Sequence, residues 1–180
     1  QDVMKEWKPN GYTSYTYTEE GTIFAPTNPD NDGMYLEYSG SPINLSDYEI
    51  FAVEYDDATI ASGRRLQFYH WPDGAEGAPR IDVPIESGYN VYKVNMKKAA
   101  PPTANWSGYT SKLRLDPTRT AGERKITIKS VGLFVSEESF NAFISKRGGS
   151  DVLKLTEYDA GDQQYGKIWD FTKPSSVAEW

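Results

Sequence analysis

The sequence predicts an all-β protein: an antiparallel β-sandwich of the jelly-roll kind, with one short helix and an ordered C-terminal extension. Three observations carry this. Short runs in which apolar and polar residues alternate recur along the chain between Gly-, Pro- and Asn-rich turns, which is the pattern of half-buried strands. Between these runs there is none of the 3.6-residue periodicity that crossover helices of a parallel sheet need, so consecutive strands are expected to run antiparallel. Aromatic residues are abundant, with 13 Tyr, 5 Trp and 7 Phe, and large rings favour pleated, half-buried surfaces.

The elements follow in order. Tyr12 to Thr18 alternates Tyr15 and Tyr17 against Thr16 and Thr18, and Glu19-Glu20-Gly21 turns it into a strand over Thr22 to Ala25. Pro26 to Gly33 reads as a loop, Met34 to Tyr38 as a strand. Tyr48 to Tyr55 places Phe51, Val53 and Tyr55 on one face and Ile50, Ala52 and Glu54 on the other. Arg65 to Trp71 sets Leu66, Phe68 and His70 against Gln67, Tyr69 and Trp71. After the loop Pro72 to Pro79, Ile81, Val83 and Ile85 alternate on one strand, and Tyr92, Val94 and Met96 on the next. Pro101-Pro102 opens a loop that leads to the most distinctive stretch: Trp106-Ser-Gly-Tyr-Thr-Ser-Lys-Leu-Arg-Leu-Asp-Pro117, then Gly122 and Ile126-Thr-Ile-Lys-Ser-Val-Gly-Leu-Phe134. The single helix is expected over Glu137 to Lys146, with Ser136 as N-cap, two acids in its first turn and Gly148-Gly149 as its stop. Asp151 to Thr156 and Lys167 to Phe171 read as further strands, with a turn at Asp159 to Asp162.

Composition narrows the function classes. A chain of 180 residues can bury a core without staples, and it contains no cysteine. With no cysteine and a single histidine, no zinc or iron site is expected. The formal charge of −7 and pI near 4.8 make nucleic acid a poor partner, because phosphate binding needs a concentrated positive field. No apolar run approaches the roughly 20 residues of a membrane span. No nucleophile elbow, phosphate loop or metal-binding helix motif is present, and no spacing singles out a carboxylate pair.

The Trp106–Pro117 stretch and the Ile126-x-Ile strand resemble the closing strands of galactose-binding-like carbohydrate-binding modules, in which a Trp-x-Gly element, a Leu-Arg-Leu-Asp-Pro segment, a glycine and an Ile-x-Ile strand follow one another. The resemblance covers about residues 20–135. It implies a β-jelly-roll module without catalytic activity, belonging to a larger multimodular bacterial protein that acts on polysaccharide outside the cell or at its surface. It divides the chain into a sandwich over 1–136 and an extension over 137–180 that packs on it or begins a following module. Val177-Ala-Glu-Trp180 echoes Val3-Met-Lys-Glu-Trp7, which keeps the second option open. The family often carries an Asp in its last strand within a structural calcium site; here Lys129 and Ser130 stand near that place.

Candidate ligand-binding residues lie on and around the Leu66 strand. Gln67, Tyr69 and Trp71 share a face, and an aromatic ring there can stack on the C–H face of a sugar while polar neighbours bond its hydroxyls. Trp71, at the strand end, reads either as such a platform or as a cap on the core edge. Arg64, Arg80 and Arg114 are the candidate contacts for an anionic polysaccharide, since a guanidinium meets a carboxylate or sulfate bidentately. Trp106 is expected to pack under the loop that Gly108 lets approach, Leu113 and Leu115 to be core, and Asp116 to hold a turn or an arginine. Oxygen donors at Asn28, Asp30 and Asp32, followed by Gly33, make a candidate calcium loop, although no glutamate follows at the expected offset. Two alternatives to polysaccharide binding are a spacer or protein-interaction module without sugar ligand, and a lyase that would bring Tyr69, His70 and Arg114 together.

Overall fold

Two antiparallel sheets pack face to face around one apolar core. The computed structural model describes residues 3–28, 33–57, 64–71, 79–98, 106–117, 125–146 and 165–172. In chain order the elements are α1 (Val3–Glu6), β1 (Trp7–Pro9), β2 (Thr13–Thr18), β3 (Gly21–Pro26), β4 (Leu36–Tyr38), β5 (Ile43–Asn44), β6 (Ile50–Asp57), β7 (Arg65–Trp71), β8 (Arg80–Pro84), β9 (Gly88–Asn95), β10 (Tyr109–Thr110), β11 (Lys112–Asp116), β12 (Ile126–Phe134), α2 (Glu137–Lys146) and β13 (Gly166–Asp170), with a 3-10 turn at Leu45–Asp47. One sheet has the strand order β1-β4-β11-β7-β8; the other runs β2-β3-β12-β6-β9, with β13 also paired to β12. The antiparallel sandwich expected from the alternations is therefore the fold.

The core is what those alternations put inward. Leu66, Phe68, Leu113, Leu115, Leu36 and Val83 from the first sheet meet Phe51, Val53, Ile128 and Phe24 from the second. Phe51 and Phe68 stack across the gap, with centroids 4.0 Å apart and planes 12° from parallel, and such pairs add to the stabilisation from area burial alone. Strand β6 is buried on both sides. Ile50 and Ala52 point away from the sandwich and are covered by Phe134 and by Phe140 and Phe143 of α2, which explains its near-continuous apolar character. Ser136 caps α2 as expected, its Oγ accepting the Ser139 backbone N–H at 3.1 Å.

Strand β12 breaks strict alternation. Ile128 pairs with Tyr55 and Ser130 with Glu54, so Lys129 is an extra residue in a bulge. The bulge flips the parity: Ile126 and Ile128 face the core before it, Val131 and Leu133 after it. Lys129 does not waste its carbonyl, which accepts the Phe171 N–H at 2.9 Å.

Four short pieces escape the alternation rule: α1, β1, β5 and β10, each of two to four residues. The run expected as Lys167 to Phe171 is β13, paired along β12 from Ser130–Asp170 to Phe134–Gly166. Its Trp169 packs edge-on against Trp7 at 5.2 Å and donates from Nε1 to Glu6 at 2.7 Å. β13 thus extends the sheet that holds β12. The strand expected at Asp151 to Thr156, the turn at Asp159 to Asp162 and the echo at Val177 to Trp180 lie outside the described residues.

Candidate binding face

The outer surface of the β1-β4-β11-β7-β8 sheet gathers most of the sequence candidates. Because side chains alternate along β7, burying Leu66, Phe68 and His70 forces Gln67, Tyr69 and Trp71 to the other side. Register then fixes their neighbours. Tyr69 lies between Arg114 of β11 and Arg80 of β8, Gln67 lies between Asp116 and Asp82, and Trp71 lies beside Lys112. Glu37 of β4 stands across from Arg114.

The rings form a platform. Tyr69 and Trp71 are nearly parallel, 19° apart with centroids separated by 5.9 Å. The Lys112 ammonium sits 4.8 Å from the Trp71 ring, and the Arg114 guanidinium carbon 4.0 Å from the Tyr35 ring and 5.2 Å from that of Tyr69. Cation–π contacts of this sort hold both partners in place.

The polar groups are ordered by one another. Arg114 Nε and Nη2 donate to the two Asp116 oxygens at 2.6 and 2.8 Å, a bidentate pair. Gln67 Nε2 donates to Asp82 at 2.6 Å, so its Oε1 turns to accept the Tyr69 hydroxyl at 3.0 Å. A carboxylate accepts only, so this chain has one direction, and the Tyr69 hydroxyl spends its hydrogen on Gln67 and keeps its capacity to accept. Arg65 and Arg80 approach Asp82 at 3.8 and 3.4 Å, and Lys112 reaches Glu37 at 3.2 Å.

Not every expected candidate stands free on this face. Gln67 is only 1% exposed and acts from below, through Tyr69 and Asp82. Arg64 is turned the other way: it is buried, ion-paired with the equally buried Asp57, and donates to the Lys125 carbonyl. It belongs to the edge of the sandwich, and a ligand on the outer face does not reach it. Asn28 is exposed, while Asp30 and Asp32 lie outside the described residues. Among the described residues no cluster of three or more His, Asp or Glu could hold a metal ion.

The constellation Tyr69, His70 and Arg114 does not assemble. His70 is fully buried on the inner face, edge-on to Trp106 at 4.9 Å, and neither ring nitrogen has a hydrogen-bond partner. Burial pushes its pKa down to about 4. Trp106 is structural, as expected: it is buried against Phe68 and His70, and its Nε1 donates to the Tyr48 carbonyl at 2.9 Å. Gly108, at φ +72°, makes the adjoining turn and donates to Ser46.

Tyr35, Glu37, Asp82 and Lys112 complete the face and were not among the candidates. Asp82 had a signal, since it sits between the inward Ile81 and Val83. The others are placed by pairing of β4, β11 and β7, which no local pattern reports.

Among solved structures the fold is similar to several carbohydrate-binding modules. The xylan-binding module CBM15 matches at 17% identity over 73% of this chain and 91% of that one, with a TM-score of 0.47. Xylanase10C from Cellvibrio japonicus matches at 17% identity with a TM-score of 0.48, over 73% of this chain but only 27% of that chain. The family 11 carbohydrate-binding module of a cellulosomal cellulase of Clostridium thermocellum matches at 12% identity over 68% and 84% of the two chains, with a TM-score of 0.45. No protein-family model matches the sequence. No curated protein matches it either.

Proposed function

We propose that this chain is a non-catalytic polysaccharide-binding module that holds a larger secreted or surface protein against its glycan. The observation that carries this is the near-parallel Tyr69–Trp71 pair, partly exposed beside a prearranged set of hydrogen-bonding groups. A sugar ring has an apolar C–H face and an equatorial rim of hydroxyls, and this surface offers a counterpart to each. Prearrangement matters because groups already fixed by neighbours lose little freedom on binding. Affinity at one such open face is modest, and tethering several sites to one polymer raises it.

The test is affinity electrophoresis of the protein in gels containing soluble polysaccharides. Retardation by at least one polymer is expected, with a loss of roughly tenfold or more in affinity for Trp71→Ala or Tyr69→Ala, the size of a dominant contact. Retention unchanged in both variants removes this face as the site. No retention by any glycan leaves the spacer reading in its place.

A further inference from the structure

Building on that reading, we infer that the face takes an acidic polysaccharide, one whose sugar rings carry carboxylate or sulfate, because it holds more cations than its own carboxylates neutralise. Burial of Trp7, Leu66, Ile81, Leu113 and Leu115 turns Lys8, Arg65, Arg80, Lys112 and Arg114 outward along their strands. Among the described residues of this face they meet three carboxylates: Glu37, Asp82 and the buried Asp116. Asp116 is committed to Arg114. Glu37 stands alone among three cations, since Lys8 is its register partner on β1, Arg114 its partner on β11, and Lys112 approaches it at 3.2 Å. Asp82 is shared by Arg65 and Arg80, at 3.8 and 3.4 Å. The result is a local positive surplus on a chain whose formal charge is −7.

The surplus lies around the rings. Lys8, Glu37, Arg114, Tyr69 and Arg80 occupy one row in register across the five strands of the sheet. With neighbouring strands about 4.8 Å apart, the row runs for about 19 Å, the length of several sugar rings laid across the strands. Arg80 flanks Tyr69, and Lys112 flanks Trp71 with its ammonium 4.8 Å from the ring. A pyranose stacked on either ring turns its equatorial substituents sideways, so an anionic substituent meets a cation within one strand spacing. The existing ion pairs do not close these positions. Arg65, Arg80, Lys112, Glu37 and Asp82 have side chains 39–48% exposed, and pairs so open to solvent are weakly held. A guanidinium that meets one carboxylate still has donors for a second anion. Arg114 differs, because its fork is fixed on Asp116 and lies over the Tyr35 ring. The anion contacts are therefore Lys8, Arg65, Arg80 and Lys112, with Arg114 a positioned donor between them.

Calorimetry with matched polymers tests this. Polygalacturonate and alginate are the carboxylate probes, dextran sulfate is the sulfate probe, and methyl-esterified pectin, dextran and xylan are the uncharged ones. Expected is Tyr69-dependent binding to at least one acidic polymer, roughly fivefold or more tighter than to any uncharged one, falling roughly tenfold or more between 20 and 500 mM NaCl as salt screens the contact. Binding to the polyuronates or to the sulfated polymer identifies the anion, and either supports the inference. Arg80→Gln and Lys8→Gln are each expected to weaken acidic binding by roughly threefold or more at low salt. Lys97→Gln, which removes the same charge just beyond β9 of the other sheet, is expected to leave it unchanged. Glu37→Gln, which releases Lys112, is expected to strengthen it. Tyr69-dependent binding that is as tight for uncharged polymers as for acidic ones overturns the inference while leaving the proposed function intact. Acidic binding that Lys97→Gln weakens as much as Arg80→Gln also overturns it, since net charge and not this face would then be responsible. Absence of binding to every polymer removes both readings together.

Discussion

At the scale of single residues, two tryptophans near the same strand have opposite jobs, and truncating each separates them. Trp106 is buried beneath the sheet, and Trp106→Ala is expected to cost about 3–5 kcal/mol by urea unfolding, the range for deleting a large core ring. Trp71 sits partly exposed at the end of β7, and Trp71→Ala is expected to cost no more than about 1 kcal/mol while abolishing glycan retention. His70 makes a sharper case. The unfolded chain takes up a proton near pH 6.5, but the buried ring resists it until about pH 4. Stability therefore falls as pH drops through that window and is fully present above it. The total is about 3 kcal/mol, from roughly 1.4 kcal/mol per pH unit. Denaturation curves at pH 7 and pH 5 should show His70→Leu losing less stability than wild type over that interval; an equal loss would mean that the histidine does not withhold its proton. Much at this scale was legible. Alternation alone put Gln67, Tyr69 and Trp71 together, whereas Arg64, expected as a ligand contact, is buried with Leu66 and Phe68, the side that the same parity assigns it.

At the scale of elements, a strand long enough to repeat its period could be read directly, as β7 was over Arg65 to Trp71. The pieces β5 and β10 have two residues each and no period to detect. The pairing that brings Asp82, Lys112 and Glu37 to the platform is non-local, so the face was legible along one strand and hidden across the others. Bulges sit between these cases. In β12 the apolar positions step from Ile128 to Val131, a gap of three where period two demands two, and that gap marks the bulge at Lys129. Deleting Lys129 restores a strict alternation but turns either Ile126 and Ile128 or Val131 and Leu133 out of the core. The deletion variant is expected to lose cooperative unfolding and near-ultraviolet circular dichroism, whereas Lys129→Ala, which keeps the residue count, is expected to stay within about 1 kcal/mol of wild type.

At the scale of the whole molecule, the two ends of the described chain hold each other in place. Trp7, Tyr38 and Trp169 form one aromatic cluster, with ring centroids 5.2 to 5.7 Å apart. Glu6 ties into it, accepting from Trp169 and lying 3.7 Å from Lys167. Phe171 reaches further, stacking edge-on against Phe24 at 5.9 Å, and its carbonyl accepts the buried Thr22 hydroxyl at 2.6 Å. Segments separated by some 149 positions in sequence thus share one core. A division of the chain after residue 136 would leave β12 without its β13 partner and the core without Trp169 and Phe171. The loss of two large buried rings alone is worth about 6–10 kcal/mol, comparable to the whole stability of an ordinary domain. A chain ending at residue 164 is therefore expected to be expanded, to bind a hydrophobic dye and to show no cooperative thermal transition, with glycan retention lost alongside. A chain ending at residue 172 is expected to unfold cooperatively. If the shorter form folds and binds as well as the longer one, β13 is an accessory laid on a self-sufficient sandwich, and the aromatic cluster joining the two ends contributes far less than its burial implies.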